Sequence, residues 1–230
     1  MKNNENPVQQ TCQEVLPSLL QMQTDLEELF SLIKINFKEK LITIDEVKTS
    51  RPKDGVEQVH QFINKVLSAT EELSTINVLI NYREFGDILN TTIPLFHSLL
   101  QLLSTDYPMF YRESHRLLKY YWAIRYVVAR FELESIPEFI GNQIPFFNMP
   151  DMLFDFIEQL KNGPKPVEIL AEVDLQVRID KSLPLLISRG PDEIRLSVLG
   201  EKFLKVHSLS DFYCYYLYEF DELFNSTPKH

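Results

Sequence analysis

Ile187-Ser-Arg-Gly-Pro-Asp-Glu-Ile-Arg-Leu-Ser-Val-Leu-Gly-Glu-Lys-Phe-Leu204 is the stretch on which the fold turns. Leu185 to Arg189 and Glu193 to Ser197 are short aliphatic runs of strand character, and Gly190-Pro-Asp192 between them has the residues of a tight turn. The segment therefore reads as a β-hairpin. Its second strand runs directly into Leu199 to Leu204, which starts a helix. Upstream, Asp151 caps a helix of Met152, Leu153, Phe156, Ile157 and Leu160 that stops at Asn162-Gly163-Pro164. Pro166 opens a short helix to about Val173, and a further helical turn or two covers Leu175 to Leu183. Downstream, Asp211 to Phe224 is a helix rich in aromatic residues.

Helix, short helix, short helix, hairpin is an order that resembles the winged helix-turn-helix. The likeness covers residues 150–205, about a quarter of the chain, and is carried by Ile187 to Leu204 and by the Gly163-Pro-Lys-Pro-Val167 loop. It implies that the hairpin closes over a three-helix core with Leu186 and Ile194 facing inward. It also implies that Gly200 lets the next helix turn back against the hairpin. In DNA-reading members, the contacts here would fall to Arg178, Lys181, Arg189 and Arg195. The charge argues otherwise. Asp174 to Lys181 sets Arg178 and Lys181 against Asp174 and Asp180, and residues 151–205 hold ten acidic and eight basic side chains. A groove-reading face needs clustered cations for phosphate contacts. Winged helices also serve as dimerisation and protein-docking modules, and this charge favours that use.

The first half reads as helical. Leu16, Leu19, Leu20, Leu26, Leu29, Phe30, Ile33 and Phe37 recur at three- and four-residue steps, with Pro17 in the first turn. Leu41-Ile-Thr-Ile44 is a short β-branched piece, and Thr49 to Gly55 is a loop. A second helix runs from Val56 to about Ser68. Others fit Thr75–Phe85, Asp87–Ser104 with a bend near Pro94, and Tyr107 to Leu133. Ile136 to Pro150 is dense in Pro, Gly and Asn and cannot continue a helix. The expected organisation is a disordered tail at 1–12, a helical module at 13–135, a proline-rich connector at 136–150, and a winged-helix-like module with its aromatic helix at 151–230. The fold class is mainly α with a small β-hairpin.

Composition narrows the function. At 230 residues the chain can bury about 70% of its extended surface and needs no disulfide or metal to fold. Cys12 and Cys214, the two cysteines, fit reduced thiols in a cytoplasmic compartment. Six glycines disfavour a phosphate-cradling nucleotide fold. No apolar run approaches the roughly 20 residues of a membrane span. The net charge of −10 opposes a non-specific nucleic-acid coat. The histidines (His60, His97, His115, His207, His230) have no paired metal spacing, and no nucleophile elbow or Cys–His arrangement is evident. No catalytic, cofactor or metal-ligating residue is expected.

Three constellations remain. Arg112, His115, Arg116, Lys119 and Arg130 fall within about 60° of one line on the long helix. That line is either a stripe for an anionic or acidic partner or a solvent face paired with this chain's own acids. Tyr107, Tyr111, Tyr120, Tyr121, Trp122 and Tyr126 are either core, the lining of an apolar pocket with polar tips, or rings that stack on bases. Phe212, Tyr215, Tyr216 and Phe220 lie on a helix aromatic nearly all round, either a self-association face or packing on the N-terminal bundle. The function expected first is a non-enzymatic regulatory or interaction protein that docks a protein partner and self-associates. The alternatives are a winged-helix DNA regulator with a helical sensing module and, third, a helical enzyme with an aromatic pocket lined by Tyr111 and Tyr121.

Overall fold

The computed structural model describes residues 7–38, 55–80, 82, 84–136, 151–220 and 222. The strand-like piece at 41–44, the loop at 49–54 and all of the connector beyond residue 136 lie outside them. The described chain is mainly helical with one small antiparallel sheet. It divides into two compact units, residues 1–128 with 209–230, and residues 129–208. Both boundaries fall inside helices. This differs from the division expected at residues 136–150, because residues 209–220 stack their rings on the first unit.

In the first unit, α1 spans Pro7–Ile33 and α2 spans Val56–Leu73. Of the residues in the three- and four-residue spacing, Leu19, Leu26, Leu29 and Phe30 are fully buried and Met22 joins them, whereas Leu20 is exposed. The helix starts at Pro7, so residues 7–12 are helical rather than a disordered tail, and Pro17 sits inside the helix rather than in its first turn. Then come α3 (Asn77–Ile80), α4 (Phe85–Thr105), α5 (Tyr107–Ser114) and α6 (Leu117–Glu134). The expected continuous helix from Tyr107 to Leu133 is thus two helices separated by a turn at His115 and Arg116. Asp106 begins α5 by accepting a hydrogen bond from the Met109 amide at 3.1 Å. Consecutive residues of α6 are buried, including Tyr120, Tyr121, Trp122, Ala123 and Ile124, as a central helix requires.

Polar anchors fix this packing. The Tyr120 hydroxyl meets Thr70 Oγ1 at 3.1 Å, and the Tyr121 hydroxyl donates to Glu27 Oε1 at 2.8 Å. Buried Asp25 takes Lys65 Nζ at 2.8 Å and Gln21 Nε2 at 2.9 Å. A Cβ built on Gly86 would lie 2.2 Å from the Ile80 carbonyl oxygen, so only glycine admits that approach of α4 to α3.

The second unit begins with the last residues of α6 and continues with α7 (Asp151–Gln159) and a 3₁₀ turn, Leu160–Asn162. Gly163 follows at φ 126°, a left-handed backbone that suits glycine. Strand β1 is Lys165–Pro166, which the sequence marks only as a loop. Three short helices come next, α8 (Ile169–Glu172), α9 (Leu175–Ile179) and α10 (Leu183–Leu186). The hairpin is β2 (Ile187–Arg189) and β3 (Glu193–Leu196), paired antiparallel with Ser188 opposite Arg195. The first expected strand residues, Leu185 and Leu186, belong to α10 instead. The sheet order is β1-β3-β2, with Lys165 opposite Ile194.

The helix α11 spans Val198–Cys214 and passes into a π-helical turn at Tyr215–Glu219. The helical pieces read separately at 199–204 and 211–224 are therefore joined. The start of α11 is tightly fixed. Ser197 caps it, its Oγ accepting from the Gly200 amide at 3.0 Å and donating to the Leu185 carbonyl. The Ser197 amide donates to the Leu186 carbonyl at 3.0 Å. Gly200 is buried, and a Cβ there would lie 2.1 Å from that same Leu186 oxygen. Leu186 and Ile194 are both fully buried.

Candidate functional site

A cleft of about 630 Å³ lies within the second unit. Its construction follows from the local chain. The 3₁₀ turn ends α7 and the φ 126° geometry at Gly163 redirects the chain into β1, leaving Lys161, Gly163 and Pro164 as one wall. Strand β3 supplies Arg195 and Leu196, and α11 supplies Glu201, Leu204, Lys205 and Ser208. Leu160 and Leu204 are largely buried and give the cleft an apolar base, with Leu196 half-buried beside them.

The rim is basic. Lys161 and Arg195 are exposed, and neither has a carboxylate partner among the described residues. Lys205 Nζ lies 2.8 Å from Glu132 Oε2, an oxygen it shares with Lys202 Nζ at 2.9 Å. Burial raises the Glu132 pKa, but hydrogen bonds and attraction from Lys205 and Lys202 outweigh it, so the carboxyl sits below its ordinary value. Glu201 is the only acid among the described residues of this lining. A second cleft in the same unit, about 340 Å³, has the opposite character, with Asp155, Glu172 and Asp174 around Met152, Phe156 and Val177.

Of the residues expected at a DNA surface, Arg178, Lys181, Arg189 and Arg195 are all exposed. The structure distributes them over separate elements. Arg178 sits on five-residue α9, Lys181 lies in the break before α10, Arg189 ends β2 and Arg195 is on β3. Only Arg195 reaches the cleft. Asp180 causes the break by adopting an extended backbone, φ −64° and ψ 127°, and accepting the Ser182 amide on its side chain at 2.7 Å.

The basic line on residues 112–130 is not one solvent-facing stripe. The turn at His115 and Arg116 breaks the helical phase on which it rests, and His115 and Arg130 are buried. His115 Nδ1 lies 2.8 Å from the Tyr111 carbonyl oxygen, and burial lowers its pKa against the opposing pull of backbone hydrogen bonds. Arg116 pairs with Glu113 at 2.9 Å, and Arg130 pairs with Glu134. Arg112 and Lys119 are half-buried. Arg116 and Lys119 do come together at a cavity of about 240 Å³ with Thr91 and Thr92.

Several aromatic rings of the C-terminal segment pack within the chain, while Tyr218 is exposed. Phe212 stacks on Trp122 with centroids 4.3 Å apart, Tyr213 stacks on Tyr126 at 4.5 Å, and Tyr216 lies 5.9 Å from Trp122. Tyr216 and Phe220 are 1% and 0% exposed, so neither offers a free self-association face. Tyr215 is half-buried with its edge on Tyr216. The Tyr213 hydroxyl contacts Glu84 Oε2 at 3.3 Å, and burial together with that carboxylate raises its pKa.

Lys161 and Lys205 were missed as site residues because the cleft joins positions more than forty residues apart through β-pairing. Among the described residues, no group of three or more His, Cys, Asp or Glu is placed to hold a metal, and no helix is long and apolar enough to cross a membrane. Comparison with known families, curated proteins and solved structures finds no significant match.

Proposed function

We propose that this chain is a non-enzymatic interaction protein that docks a protein partner through its 129–208 unit, a winged-helix-like module used for binding protein rather than DNA. The observation that carries the reading is the 630 Å³ cleft, with a leucine base and two rim cations that no described carboxylate neutralises. An apolar base framed by a few polar groups suits a protein segment. The winged-helix assignment is supported by the element order helix, strand, helices, hairpin and by the β1-β3-β2 sheet.

The DNA-regulator reading requires a helix that can lie in a major groove. The segment that would serve, Asp174 to Lys181, is helical only over the five residues of α9, which carries Arg178 but ends before Lys181. The aromatic rings expected to mediate self-association are engaged within the chain, so partner docking leads.

A photo-crosslinking amino acid at Ser208, with exposed Gln61 of α2 as the control position, tests the docking reading in cells of the source organism. A discrete protein adduct formed only from Ser208 is the expected result. Fluorescence anisotropy with random duplex DNA tests the alternative. Micromolar binding that weakens steeply with salt and is lost in Arg178→Ala with Lys181→Ala would replace docking by DNA regulation.

A further inference from the structure

Resting on the docking reading, we infer that the cleft takes an acidic peptide segment of the partner, with an aliphatic or aromatic side chain as its anchor between flanking carboxylates. Charge complementarity at close range supports this ligand. Lys161 approaches from the end of α7 and Arg195 from β3, on two different walls of one cleft. Both are exposed and lack a carboxylate partner among the described residues. Lys205 adds a third cation whose charge is already shared with Glu132. The described lining therefore carries three cations and one acid in a chain whose overall charge is −10.

The leucines decide the rest of the ligand. Leu196 is half-buried above the buried Leu160 and Leu204, so a purely ionic ligand would leave its exposed part against water, whereas an apolar side chain covers it. Glu201, on α11, repels a second acidic group near its own end and sets a preferred orientation for the peptide. A duplex fits less well. It presents a dense row of phosphates, and specific complexes cover about 1,000 Å² or more of positively charged protein surface. Here Asp192, Glu193 and Glu201 lie on or beside the same hairpin and helix. Two unshared cations match two carboxylates of a peptide far better than a run of phosphates.

The test is selection of random twelve-residue peptides displayed on phage against the full chain, followed by binding of the selected synthetic peptides. The proposal expects Asp and Glu enriched around Leu or Phe. It also expects roughly tenfold or greater weakening in Lys161→Glu with Arg195→Glu, the loss typical of a broken close charge pair. Lys161→Gln with Arg195→Gln, a milder change at the same exposed positions, gives the same readout should the reversal variant lose its folded circular dichroism. Leu196→Ser is expected to weaken the same peptides without changing their salt dependence.

Selected peptides without acidic enrichment, unchanged binding to the charge variants, or no selected peptide at all would overturn the inference. A random duplex that displaces the peptides with steep salt dependence would overturn it in favour of phosphate. The Ser208 adduct separates the two levels. An adduct without acidic selectivity removes only the acidic ligand, and loss of both removes docking as well.

Discussion

Substituting Gly200 by alanine tests the close approach of α11 to the Leu186 carbonyl in the second unit. The new Cβ would stand 2.1 Å from the Leu186 carbonyl oxygen, 3.0 Å from its carbon and 3.2 Å from Leu196 Cδ2. Ordinary contact begins near 3.4 Å, so α11 and the end of α10 must separate by about 1 Å. Overpacking of this kind costs about 1–3 kcal/mol. The displacement also strains two hydrogen bonds, Gly200 amide to Ser197 Oγ and Ser197 amide to the Leu186 carbonyl, each worth about 1 kcal/mol. Alanine's better helix propensity returns about 1 kcal/mol. The balance is a loss of about 2 kcal/mol, read as a lower urea midpoint by circular dichroism and as faster amide exchange at residues 197–201. Gly163→Ala is the control, since its Cβ meets nothing within 4 Å and its cost is confined to the φ 126° backbone. A Gly200→Ala chain as stable as the parent, or stabilised by the propensity gain alone, would refute the contact.

Three further outcomes are expected. Glu132→Gln should flatten the acid limb of stability. The Glu132 carboxyl is held below its ordinary pKa in the folded chain, so its contribution is present above the unfolded value near 4.3 and is lost as pH falls through the lowered folded value; urea midpoints between pH 3 and pH 6 would record it. Thr70→Val removes the partner of the fully buried Tyr120 hydroxyl and should cost about 1–3 kcal/mol in denaturant unfolding. Phe220→Ala, at a 0% exposed ring, should cost about 3–5 kcal/mol while leaving the sedimentation coefficient of the folded chain unchanged; a shift in oligomeric state without loss of stability would restore the self-association reading.

The parts of the fold legible in the sequence are those whose cause is local. The apolar spacing of α1 and α2 corresponds to their buried faces, and Gly200, expected to let the next helix turn back on the hairpin, closely approaches Leu186. The turn at His115 and Arg116 was invisible because neither Pro nor Gly marks it. Without that break the basic residues share a line, whereas the actual backbone buries His115 and Arg130. Strand β1 is equally silent, since Lys165 and Pro166 become a strand only by pairing with Ile194 and Glu193. The C-terminal rings were recognisable as covered surface, but what covers them, Trp122 and Tyr126, is some ninety residues earlier in the chain.

The same reasoning explains why net charge is a poor guide to the candidate site. Residues 151–205 are nearly balanced, ten acids to eight bases, which suggests an electrostatically bland surface. The fold sorts those charges instead of mixing them. Asp155, Glu172 and Asp174 gather around one cleft, while Lys161, Arg195 and Lys205 line the other. Sorting arises because the 3₁₀ turn, β3 and α11 converge on one side, and the short helices α8 and α9 carry their acids to a different cleft. Self-pairing across the lining of the larger cleft would have cancelled its field, yet Lys161 and Arg195 have no described carboxylate to pair with. A module that leaves two cations unshared beside a cleft floored by leucines retains the electrostatic selectivity that a charge-balanced surface of the same composition would lack.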